Sequence, residues 1–95
     1  MSAKFESVRN SHEVAVFRQI LEQAGRFPDL AANDDLLADV ACLALNALSP
    51  RYIRHAVDLS FYTPDASLLA DAAAVRAAVE SALEFVQTQA AHRGT

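Results

Sequence analysis

Apolar residues recur every three or four positions over 14–24, 36–48 and 68–86, and residues 53–62 change to an alternating period. Helical spacing predicts three amphipathic helices, and alternation predicts one extended segment. In the first helix Val14, Phe17, Leu21 and Ala24 form the expected core stripe, widened by Val16 and Ile20. "NSHE" reads as a capping box, with Asn10 at the N-cap and Glu13 three residues on. Gly25 suits a left-handed closing residue.

"RFPDLAANDD" reads as a connector, since Pro28 disfavours helix at Phe27. Asn33 or Asp34 caps the second helix, where Asp34 and Asp35 suit the positive end of the dipole. Leu36, Val40, Leu43 and Ala47 make one row of that helix, and Leu37, Ala44 and Leu48 its neighbour; Pro50 ends it near Leu48. Over 52–62, Ile53, His55, Val57, Leu59 and Phe61 fall on one face of a strand, with a kinked helix as the alternative reading. No second strand stands out, so its expected partner is the same strand of a second copy. Thr63, Pro64 and Asp65 start a third helix running to about Ala91, unless Asp71 restarts it. Leu68, Ala72, Val75, Val79, Leu83 and Val86 line its inner face.

Composition sharpens the expectation of pairing. The chain has 95 residues, 53% of them hydrophobic, but twenty are alanine. A core built from so few large side chains is thin, and association is a common remedy in small domains. The fold class expected is mainly α, three helices and one extended segment paired across a homodimer. Residues 1–9 read as a lead-in, 10–91 as a single domain and 92–95 as a frayed tail. The net charge of −4, with scattered Lys and Arg, argues against a nucleic-acid duplex as partner. One cysteine excludes an internal disulfide and a Cys-rich zinc site. No apolar run approaches membrane-spanning length, so a soluble, cytoplasmic protein is expected, with no membrane partner.

Candidate chemistry centres on "DVACLALNALSPRY". Asp35, Asp39, Cys42 and Asn46, spaced four, three and four apart, form a polar stripe on the second helix. Between apolar rows, Asp39 and Asn46 are expected to be at least half buried, with Cys42 a small buried residue. Buried polar groups need partners, and Arg51 and Tyr52, just beyond the turn, can fold back as donors. That reading makes them a structural clamp. The functional reading is an anion site, since Arg51, Arg54 and His55 put three donors beside the Tyr52 phenol. Arginine forks fit phosphate oxygens and their planes stack on bases. Asp58 could accept from a guanine edge, although in a strand it lies about 13 Å from Arg54. Arg9 could meet phosphate at a helix N-terminus, or be merely solvated. His55 is expected to pack on the strand's inner face. His12, His55 and His92 are too dispersed for a metal site, and no catalytic constellation or Gly-rich phosphate loop is present.

"DVACLALNALSPRYI" resembles the signature of the late-competence ComFB family: an acidic residue, an Ala/Leu-rich helix, "ALN", a turn with Pro, then "RY". "NSHEV" is similar to the family's opening pattern, and the resemblance spans roughly residues 9–88. It is specific around 39–53 and looser elsewhere. The residues carried over are Asn10, Glu13, Asp39, Asn46, Pro50, Arg51 and Tyr52. The resemblance implies a small homodimer, with some members acting as receptors for cyclic dinucleotides, cyclic di-GMP in particular. Other members carry a zinc-binding cysteine cluster. Here Ala31, Asn33 and Leu36 stand in those places, so no metal and no cofactor is expected.

Together these point to a non-enzymatic cyclic dinucleotide receptor, with Arg9, Asp39, Arg51, Tyr52, Arg54 and Asp58 as ligand-binding candidates and a downstream regulatory protein as partner. The competing reading is a dimeric protein-interaction module with no small-molecule ligand. A direct DNA regulator is disfavoured by the charge balance.

Overall fold

A computed structural model describes residues 4–55 and 65–93. The expected extended run over 56–62, with Asp58, and the caps Thr63 and Pro64 lie outside the described residues. The described part is mainly helical: α1 (His12–Gln23), α2 (Pro28–Ala31), α3 (Asp34–Ala47) and α4 (Asp65–Arg93). Two short strands, β1 (Arg9–Asn10) and β2 (Tyr52–Ile53), pair antiparallel, with Arg9 opposite Ile53 and Asn10 opposite Tyr52. α1, α3 and α4 pack against one another. Val16 and Ile20 of α1, Val40 and Ala44 of α3, and Val75, Val79, Leu83 and Val86 of α4 are buried together.

The strand finding corrects one expectation. β2 has a partner in its own chain, because the residues just before α1 are extended and lie alongside it. That lead-in was too short and too polar to show any period.

The helices obey their start and stop signals, with one exception. The Asn33 side chain caps α3 by accepting from Leu36 N at 3.1 Å. Phe27, before Pro28, is non-helical at φ −134°, ψ 69°. Gly25, by contrast, is not left-handed: no described glycine has positive φ. A 3-10 turn, Ala24–Arg26, extends α1 and closes with Phe27 N donating to Ala24 O at 2.9 Å. The chain therefore leaves α1 through a right-handed 3-10 turn rather than through a left-handed closing residue. The connector also holds a helix, since Pro28 starts α2 at its first turn and Leu30 is fully buried.

Which face turns inward departs from expectation in two helices. On α1 the inner row is His12, Val16, Ile20 and Ala24, while Val14, Phe17 and Leu21 are 59%, 48% and 75% exposed. At 100° per residue these rows lie about 100° apart, and α1 carries more apolar surface than its contacts with α3 and α4 cover. On α3 Val40 and Ala44 are fully buried, with Leu37 and Leu48 packed beside them. Asp35, Asp39, Cys42 and Asn46 centre about 150° away and are all exposed. The expected burial of Asp39, Cys42 and Asn46 is therefore overturned, because Leu43 and Ala47, taken as a core row, are themselves exposed. On α4 the expected row holds from Val75 to Val86, although Ala72 is exposed. α4 runs unbroken through Asp71.

Candidate ligand site

The site begins with Asn10. Its backbone N–H donates to Glu13 Oε2 at 3.3 Å, and its Oδ1 accepts from His12 N at 3.1 Å, so the reciprocal bonds expected of Asn10 and Glu13 form, one residue ahead of the helix's N-cap at Ser11. The same Oδ1 also accepts from Arg51 N at 3.1 Å, and Ser11 N donates to Arg51 O at 2.6 Å. Both backbone polar groups of Arg51 are thereby tied to the start of α1. An asparagine cap has two lone pairs on its oxygen, and here both are used.

This anchoring fixes where the Arg51 side chain goes. Its Nη2 donates to Asp71 Oδ1 at 3.1 Å, and its Nε lies 2.7 Å from Asp71 Oδ2. The Nε contact is off the N–H direction, so it acts as a charge contact beside one formed hydrogen bond. The two side chains keep 36% and 26% of their surface exposed, so this is a half-buried pair open on one side. The expected fold-back of Arg51 and Tyr52 onto Asp39 and Asn46 does not occur. Arg51 is drawn to α4 instead, and Tyr52 points outward at 67% exposure.

Arg51 and Asp71 border a cleft of about 440 Å³ that also has His12, Leu48, Ser49 and Pro50 in its wall. His12 is only 6% exposed, and its ring has no hydrogen-bond partner among the described residues. Two residues that sequence reasoning passed over, His12 and Asp71, thus meet at the site. The signal was present. His12 stands four residues before Val16, and Asp71 four before Val75, so each extends the buried row of its helix by one turn.

The other candidates divide. Arg9, Tyr52 and Arg54 lie on the β1–β2 ladder or just past it, and all three are exposed. Arg54 Nε donates to Ser7 Oγ at 2.9 Å, which holds its stem against the turn before β1. His55 is exposed rather than packed inside. Asp39 stands apart, in a shallow apolar depression with Leu36, Cys42, Leu43, Phe85, Val86, Gln89 and Ala90. It is eight residues before the end of α3, about 12 Å along the axis from the turn that carries Arg51. Among the described residues no group of three or more His, Cys, Asp or Glu is placed to hold a metal ion. No described helix is long and apolar enough to cross a membrane.

No curated protein and no solved structure matches the chain. A family model does, over residues 9–90, and its span includes the capping box, the α3 signature, the Arg51 turn and α4 as far as Ala90. The chain belongs to the family described as late competence development protein ComFB.

Proposed function

We propose that the protein is a non-enzymatic receptor for a cyclic dinucleotide, most readily cyclic di-GMP, that works as a homodimer in signalling. The observation that carries this reading is Tyr52, 67% exposed on one short ladder at the start of α1, with the exposed Arg54 two residues on and Arg9 on the ladder's other face. A phenol buried in a structural network could not stack on a base; this one is free to. Arginine forks beside it suit phosphate oxygens, and a nearby helix N-terminus favours negative charge. A two-fold ligand on a two-fold dimer would meet the same groups twice. Asp58 enters this reading from its sequence position, and Asp39 only as a contribution from a second protomer. A downstream regulatory protein would read the bound state.

Titration calorimetry with cyclic di-GMP, cyclic di-AMP and GTP tests the reading. Micromolar or tighter binding of one cyclic dinucleotide is expected. Tyr52→Ala should weaken it about 5- to 100-fold, the usual worth of one base stacked on an aromatic ring. Arg54→Ala should weaken it too, and since both side chains are exposed neither change should unfold the protein. No heat from any of the three ligands would leave the interaction-module reading, which the exposed Val14, Phe17 and Leu21 row of α1 favours.

A further inference from the structure

We infer that the cleft between the start of α1, the Arg51 turn and α4 is a guanine pocket, in which Asp71 reads the base edge; this rests on, and deepens, the cyclic di-GMP reading. The Arg51–Asp71 pair has no net charge, which disfavours a bare phosphate there. It also leaves bonding capacity on both sides. Arg51 makes its one hydrogen bond to Oδ1, so Oδ2, which has only the Nε charge contact, keeps a lone pair for a donor. That acceptor suits the 2-amino N–H of guanine, a donor that adenine and hypoxanthine lack. Of the five guanidinium N–H groups, those not turned to Asp71 can donate to guanine O6, and an imidazole N–H of His12 suits N7.

Two further observations support a ligand here. His12, only 6% exposed, lines the cleft and its ring bonds to no described residue, so a ring nitrogen that reaches the cleft is open to a ligand. The cleft's α4 wall is built from Ala70 and Ala74, small side chains that leave a slot for a flat ring. Its volume of about 440 Å³ is within the size range of small-molecule sites. Arg9, Tyr52 and Arg54 stay outside this slot, available to the phosphates and to the second base.

The experiment compares cyclic di-GMP with its inosine counterpart, which lacks only the 2-amino groups, on the unaltered protein. The inosine ligand is expected to bind about 10- to 100-fold more weakly, the worth of a hydrogen bond to a charged acceptor. Asp71→Asn should bring that preference to within about threefold, because the amide's one oxygen is held by Arg51 and its NH2 then faces the 2-amino group, donor against donor. Equal binding of the two ligands by the unaltered protein, or a preference that survives Asp71→Asn, would overturn the pocket. A second arm separates the pocket from the receptor reading by following the His12 ring proton signals during titration with GMP and with IMP. A shift with GMP that IMP does not reproduce, with no cyclic dinucleotide bound, would retire the receptor and keep the pocket. If neither mononucleotide moves the His12 signals and no cyclic dinucleotide binds, both fall.

Discussion

Asn10 ties two distant parts of the chain together through one side chain. Its side-chain oxygen joins the start of α1 to a backbone N–H forty-one residues further along the chain. Replacing it with alanine removes a cap and orphans the N–H of half-buried Arg51. A loss of about 2 kcal/mol is expected in urea unfolding, at the upper end for a cap alone. A loss under about 0.5 kcal/mol would mean that water replaces both bonds. Gly25 makes the opposite case. It has no positive φ, and a Cβ added there meets nothing within 4 Å. Gly25→Ala should therefore stabilise the fold by about 0.4–1 kcal/mol through the unfolded chain. Destabilisation instead would show that the left-handed closing residue expected from sequence is needed after all. The cap at Asn10 was legible because capping is local, three residues from Asn10 to Glu13. Its second bond, to Arg51, was not, because nothing in the local pattern says which distant backbone an oxygen will meet.

At the level of elements, the long helices were legible almost to the residue and their orientation was not. Period fixes that a stretch is helical; it does not choose between two apolar rows about 100° apart. Val16, Ile20 and Ala24 face α3 and α4, and Phe17 and Leu21 do not, because of contacts made by other parts of the chain. The same ambiguity placed Asp39 in the interior when it lies on the surface. α2 was missed because four residues are too few to show a period. Yet α2 carries Leu30, one of the largest fully buried side chains among the described residues. Leu30→Ala should cost about 2–5 kcal/mol, read by thermal or urea unfolding, as expected when a buried leucine leaves a cavity. A cost below 1 kcal/mol would imply that the connector is a pliable lid over the core rather than part of it.

The molecule as a whole is flattened, with principal extents of 50 × 37 × 18 Å. Two helix layers about 9 Å apart fill such a thickness, leaving no third layer to cover apolar residues on the outside. Val14, Phe17 and Leu21 form such an uncovered row, and it begins next to the ladder that carries Arg9 and Tyr52. In the proposed homodimer this row is the natural contact, since pairing two copies through α1 would bring their two ladders toward one axis and let a two-fold ligand meet both. Sedimentation should then show a species of about twice the 10.3 kDa chain mass. Phe17→Glu combined with Leu21→Glu should return it to a single chain without loss of helix content, because neither side chain belongs to the buried core. Retention of the dimer by that variant would move the interface to another face, while a single chain at every concentration would remove the homodimer. In that last case a cyclic dinucleotide would have to bind one ladder at a time, and Tyr52→Ala would be expected to affect a one-to-one complex.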